Sequence, residues 1–292
     1  MSCAKTPIDD TAWPQFTRPA LFQHVILKYC VPPKAPATYI TALQRLNVTV
    51  LNKLVLNNLP ANTNITRASL ADLPSHVTSL ELKATASSLQ LEFDTLDGLE
   101  QLRVLDLCRV RPGRLPPHLK KLRLFYSNMR TLPSPLNDLE SLFVHDGAQV
   151  DVPPLATLSK LQVLNLAVPL QVVPPLSQTL VNVTMTMFEV RSPVPFTHSD
   201  CAHVQQLTIE YWWMAQVPAG WVAACPVLHT LKLHLQKNLT ELAKGMLNGT
   251  TELRVLYINA CPLKTLPVDL FEYSPNLKEA NLSGNKLLYL PK

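Results

Sequence analysis

The sequence predicts an α/β solenoid. One long parallel β-sheet forms its concave face, and mostly irregular or short helical segments form its convex side. Three observations carry this prediction. The pattern L-x-x-L-x-L, as in Leu253-Arg-Val-Leu256-Tyr-Ile258, recurs eleven times, beginning at Leu51, Val77, Leu102, Leu119, Leu139, Leu161, Leu180, Val204, Leu228, Leu253 and Leu277, at intervals of 17 to 26 residues. A fixed period of that size marks a stack of like units rather than a compact globule. Within each copy the apolar residues alternate, as a strand with one buried face requires. Finally, 47% of the 292 residues are hydrophobic and only 16% are charged, enough apolar surface for one continuous core buried neighbour against neighbour.

Taken in order, residues 1–50 fall outside the period and are expected to cap the first apolar face, since a stack leaves its end uncovered. In this segment Val25-Ile26-Leu27 and Leu43-Gln-Arg-Leu46-Asn-Val48 both read as strand-like pieces. Residues 51–292 carry the eleven repeats. Residues 51–114 hold long repeats; in one of them Leu102, Leu105 and Leu107 point inward, and Arg103, Val104 and Asp106 outward. Residues 115–200 hold short repeats with no room for a full outer helix. Prolines such as Pro116-Pro117 and Pro174-Pro175 fix extended or turn geometry there. Residues 201–292 return to a spacing near 24. They add a second apolar landmark 17 or 18 residues after each strand leucine: Trp221, Met246 and Leu270-Phe271. Trp212 and Trp213 directly follow a strand, and one is expected in the core with the other at the rim.

These motifs resemble the leucine-rich repeat. Leu119 to Pro133 resembles its short class ending in Leu-Pro, and Leu266 to Leu287 resembles the typical repeat of extracellular leucine-rich proteins. The resemblance implies a horseshoe fold. It also implies an asparagine at the end of each strand whose amide satisfies backbone groups of adjacent turns. Asn285 holds that position, and Cys261 is an accepted substitute, but Ser127, Gly147, Pro169, Phe188 and Trp212 depart from it. The array is expected to be cut at Lys292, inside a repeat, as part of a longer protein.

Composition and motif exclude several function classes. Seven glycines without G-x-G-x-x-G or G-x-x-x-x-G-K leave no phosphate-cradling loop. A net charge of +5 is too mild for a dedicated nucleic-acid binder. No run of about 20 apolar residues forms a membrane span, and Met1 to Phe16 lacks the basic start and apolar run of a secretory signal. His198, Asp200, Cys201 and His203 do not fit the ligand spacings of structural zinc sites and read as a polar outer loop. Ser199 near His203 lacks the G-x-S-x-G turn and third member of a hydrolytic triad. The chain therefore reads as non-catalytic, with no cofactor and no metal.

Compartment is argued from asparagine and cysteine. Asn47, Asn64, Asn182, Asn238, Asn248 and Asn281 head N-x-S/T sequons. With 16 asparagines and 38 serines and threonines, chance gives only about two. The excess favours an extracellular or cell-surface setting for a glycosylated protein, over a cytosolic scaffold. Cys3 and Cys30 are a candidate disulfide of the cap. Cys201 and Cys225 stand at equivalent places in adjacent repeats, within disulfide range, and are expected as small buried thiols, cysteine being among the most buried residue types.

A protein or peptide ligand is expected on the concave face of the central strands. Arg103, Lys121 and Arg123 supply charge there, and Phe125, Tyr126 and Phe143 supply aromatic surface, a mixture enriched at interface hot spots. An anionic group is expected at Arg123 and Lys121, with an apolar group on Phe143 one strand spacing away. The resemblance extends to the ectodomains of leucine-rich-repeat receptors, including receptor kinases, although no H-R-D, D-F-G or V-A-I-K kinase motif occurs here.

Overall fold

A computed structural model describes residues 1–8, 13, 15–85, 89–132, 136–146, 155–169, 174–186 and 201–290 of the chain. The chain divides into two compact units, Met1–Leu139 and Glu140–Lys292. Each is a parallel sheet built one strand per repeat.

The first unit contains β1 (Ala20–Lys28), β2 (Val48–Leu59), β3 (Ser79–Ala84), β4 (Leu89–Gln90), β5 (Val104–Cys108), β6 (Val110–Arg111) and β7 (Lys121–Phe125). Its sheet runs β1-β2-β3-β5-β7, all parallel, while β4 and β6 pair with each other. The strand-like reading of Leu43 to Leu46 is corrected. Tyr39–Arg45 is a helix, α1, started by a reciprocal box in which Thr38 Oγ1 accepts from the Thr41 N–H and the Thr38 N–H donates to Thr41 Oγ1. That pair satisfies two otherwise orphaned groups. Helix periodicity buries Tyr39, Ile40 and Leu43 against β2, and the Tyr39 hydroxyl donates to the Cys30 carbonyl at 3.2 Å. The alternation seen around Leu43 was therefore helical spacing over a short span. A second helix, α2, covers only Arg67–Leu70.

The second unit contains β8 (Ser141–His145), β9 (Val163–Ala167), β10 (Asn182–Thr186), β11 (Gln206–Glu210), β12 (Gln216–Val217), β13 (Thr230–His234), β14 (Glu241–Leu242), β15 (Val255–Asn259) and β16 (Glu279–Asn281). Its sheet runs β8-β9-β10-β11-β13-β15-β16, with β12 and β14 paired separately. Register follows the leucines: Leu164 pairs with Val183, Val183 with Leu207, Leu207 with Leu231 and Leu231 with Leu256. Leu164, Leu166, Leu231, Leu233 and Leu256 are buried, as are Leu105 and Leu107 in the first unit. Of the outer landmarks, Trp221, Met246 and Leu270 enter the core and Phe271 stays exposed. Trp212 is buried against Trp221, with ring centroids 5.5 Å apart, and Trp213 is exposed.

Two devices end the strands. The residue after the strand adopts the left-handed region in five of the described repeats: Arg109, Tyr126, Tyr211, Leu235 and Ala260 have φ of 52–56°, and the equivalent place in the last repeat is Gly284 at 71°. Each non-glycine residue there costs roughly 1–2 kcal/mol of local strain, so the stacked neighbours must impose the turn. The next residue supplies the amide ladder. Asn285 Nδ2 donates to the carbonyls of Ile258 and Leu282, and the Cys261 thiol lies 3.3 Å from the Asn259 carbonyl. Gln236 joins this ladder, although it does not match the asparagine pattern. Its Nε2 donates to the carbonyls of Ile209 and His234 at 2.7 and 2.9 Å, and its Oε1 accepts from the Trp212 N–H at 2.7 Å.

A column of small residues precedes the strands, and it corrects the expectation for two cysteines. Cys201 and Cys225 form a disulfide with Cα atoms 4.8 Å apart. Thr250 and Ser274 hold the next two places and share a hydrogen bond of 3.2 Å. Equivalent positions one strand spacing apart bring the sulfurs to bonding distance, and the pair is bonded rather than a set of buried thiols. Cys3 and Cys30 are also bonded, with Cα atoms 4.8 Å apart, and Cys108 and Cys261 are free.

Gln236→Ala is expected to destabilise the protein by about 1–3 kcal/mol, the cost of leaving a buried donor unsatisfied. Urea denaturation checks this, and a change below experimental error would remove Gln236 from the ladder.

Candidate binding surface

In-register parallel strands place equivalent side chains in rows at about 4.8 Å. On the open face of the first unit, one row runs Ile26, Val55, Glu81, Asp106, Arg123, each the register partner of the next. The adjoining row runs His24, Lys53, Ser79, Val104, Lys121. Side chains from both rows, with Lys83, make an ionic lattice. Glu81 is paired with Lys53 and with Lys83. Asp106 Oδ2 lies 3.8 Å from Lys53 Nζ and 3.5 Å from Arg123 Nη1. The carboxylates form the floor, each with a side chain only 10% exposed. The cations stand above them, Lys53 at 23%, Arg123 at 36% and Lys83 at 44%.

The two carboxyls respond differently. Burial pushes Glu81 upward, but the hydrogen bonds from Lys53 and Lys83 outweigh it and hold its pKa below the ordinary value. Burial raises Asp106, and the attraction of Arg123 and Lys53 does not offset it; Glu81 adds repulsion. Asp106 Oδ1 is buried without a hydrogen-bond partner among the described residues. Burial, then repulsion from Arg123, lowers Lys121, whereas the Glu81 hydrogen bond raises Lys83.

The residues expected to bind a ligand are distributed as follows. Arg123 is in the lattice, facing Asp106. Arg103 precedes β5 and donates from Nη1 to the carbonyls of Glu100 and Leu102 at 2.7 and 3.0 Å, so its guanidinium is held by the rim backbone. Lys121 and Phe125 are half-buried at the two ends of β7. Tyr126 is exposed just beyond, with the Arg109 guanidinium 5.6 Å from its ring centre. Phe143 is half-buried in β8 of the second unit, beside Asn165. Lys53, Glu81 and Lys83 were not anticipated. The signal for Glu81 lies in the sequence nonetheless: the middle residue of successive L-x-L pairs reads Val55, Glu81, Asp106, Arg123.

The second unit's open face is less charged. Lys232 sits 5.0 Å from the Tyr257 ring centre, and the Tyr257 hydroxyl donates to Glu279, whose hydrogen bond raises the phenol pKa. Thr186 donates to Glu210 at 3.4 Å, and His234 Nδ1 donates to Asn259 Oδ1 at 2.8 Å.

Among the sequons, Asn64, Asn238 and Asn248 are exposed. Asn47 is half-buried and donates from Nδ2 to the Phe16 carbonyl at 2.6 Å. Asn182 is half-buried with its Oδ1 enclosed, and Asn281 Oδ1 accepts from the Ser283 N–H at 2.9 Å. His198, Ser199 and Asp200 lie outside the described residues, and Cys201 is in its disulfide. Among the described residues no group of three or more His, Cys, Asp or Glu is placed to hold a metal ion, and no helix is long and apolar enough to cross a membrane.

The lattice makes a pH-dependent prediction. Glu81 has a depressed pKa, so its stabilising contribution is present above the unfolded carboxylate range and is lost as pH falls through the folded value. Asp106 has a raised pKa, so its ionised form is unfavourable at neutral pH and that penalty is relieved as pH falls. Glu81→Gln is therefore expected to destabilise the chain at pH 7 more than Asp106→Asn does. The gap between the two variants should close at pH 3, as read by urea midpoints.

No protein-family model and no curated protein matches the sequence. Solved structures do match. A chain of the glycosylated Toll–Spatzle complex of Drosophila aligns over 99% of this chain at 17% identity and a TM-score of 0.64, covering 49% of its own length. A second structure of that complex aligns over 94% at 16% identity and a TM-score of 0.51, covering 41% of its own length. The chain thus spans about half the length of the chains it resembles or less. At this identity the likeness is one of fold, and the fold is that of a leucine-rich-repeat solenoid.

Proposed function

We propose that this chain is a non-catalytic recognition module that binds a protein or peptide on the open sheet face of its first unit. The ionic lattice carries the reading. Two carboxylates nine-tenths buried hold Lys53, Lys83 and Arg123 upright on a sheet face, so the charged tips are pre-ordered before a partner arrives. Pre-ordering lowers the entropy cost of charge-assisted contacts. A row of charged tips along a sheet face suits a macromolecular surface better than a small molecule, which favours an enclosed cleft.

We place the module outside the cytosol, at the cell surface or beyond, as part of a receptor-type protein. Two disulfides support an oxidising compartment. Three sequon asparagines exposed to solvent support glycosylation.

Expressed behind a secretion signal, the chain is expected to gain glycosidase-removable mass at Asn64, Asn238 and Asn248, with Asn182 unmodified because its side chain is half-buried with Oδ1 enclosed. Mass spectrometry of single Asn→Gln variants reads this out, and an unmodified secreted chain would favour the cytosolic scaffold instead. Once a ligand is in hand, Lys83→Glu and Arg123→Glu should each weaken its binding by more than about 1 kcal/mol. Wild-type affinity in both, with folding intact by circular dichroism, would move the site off this face.

A further inference from the structure

An apolar pocket of about 190 Å³ opens beside β1, walled by Phe16, Phe22, Val25 and Ile26. Phe22 is 40% and Ile26 43% exposed, and the Phe16 and Phe22 rings meet edge to face with centroids 6.1 Å apart. Terminal units of a solenoid ordinarily carry a polar outer face, and exposed apolar patches mark interaction sites. The pocket adjoins the lattice through the sheet register. His24, which lines it, pairs with Lys53, and Ile26 pairs with Val55, which heads the row through Glu81 and Asp106 to Arg123. One face of the first unit thus passes from an apolar well to upright cations across successive strands.

We infer that the ligand is an extended acidic peptide segment whose bulky apolar side chain fills this pocket while its carboxylates meet Lys83 and Arg123. This rests on the reading of that face as the binding surface and adds the anchor and the chemistry of the partner. The outward tips of the lattice are cationic, so the complement is anionic. The pocket's volume fits one large aliphatic or aromatic side chain rather than a folded element. Strand spacing sets the interval. Lys83 lies two strands from β1, about 10 Å, and Arg123 four strands, about 19 Å. An extended chain crossing the strands advances about 3.3 Å per residue. Acidic residues are therefore required about three and about six positions from the apolar one.

The test is selection of a random dodecapeptide display library on the full-length chain, followed by affinity measurement on the consensus peptide. The expected consensus carries Phe, Leu, Met or Trp with Asp or Glu about three and six positions away. Its affinity should fall about tenfold or more with Phe22→Ser or Ile26→Ser in the protein, with apolar→Ala in the peptide, and with Lys83→Glu. Both pocket residues are partly exposed, and thermal melting shows whether each variant remains folded; Ile26→Ser stands if Phe22→Ser disturbs Phe16. Loss with Lys83→Glu but not with either pocket variant would overturn the anchor and leave the binding face intact. Indifference to all three variants would overturn both. A basic consensus, or no enrichment, would overturn the acidic-peptide partner.

Discussion

Every layer of this protein must pass its backbone hydrogen bonds to the next across one strand spacing, and the rest of the structure depends on that hand-over. Leucine pairs keep the layers at one thickness, so the strands stay in register from β3 to β7 in the first unit and from β8 to β16 in the second. Where the chain leaves the sheet, its polar groups must still be met, because burial without partners is expensive. The left-handed residue turns the chain, and at Gln236 and Asn285 the side chain after it donates to two carbonyls. Neighbouring layers impose that turn on Arg109, Tyr126 and Leu235, residue types that would not choose it alone.

The core was legible because its signal is repeated. A single L-x-x-L-x-L is weak, but recurrence fixes both period and inward face. The cap was less legible: Leu43 and Leu46 fit a strand or a helix equally well in so short a span, and only Thr38 and Thr41 marked a helix start. The ladder was legible only as an asparagine motif. Gln236 performs the same task with one more methylene, so its role depends on geometry that no pattern of residue types records. The disulfide at Cys201 and Cys225 was visible as proximity, but a column of small buried residues holds either a bond or two thiols, as Thr250 and Ser274 show beside it.

The charged face of the first unit shows where side-chain listing fails. Arg103 and Arg123 look alike in the sequence. One is spent on carbonyls at the strand entrance, and the other stands over Asp106. Asp106 itself, a charged residue on an outward position, is almost wholly covered by its neighbours. Such a residue reads as solvated from the strand period alone. Register converts it into a buried support, because Lys53 and Arg123 arrive from strands on either side.

The bond between Cys201 and Cys225 has a mechanical consequence. A stack held by nearest-neighbour contacts yields to tension one layer at a time, peeling from whichever end is pulled. Here the bond joins two successive layers across 24 residues. Under load those layers cannot separate in turn, and a length of about 80 Å of chain, at about 3.4 Å per residue, stays locked away from extension. Pulled from either end, the second unit would lengthen in single steps until it reached this clasp, then resist as a double layer.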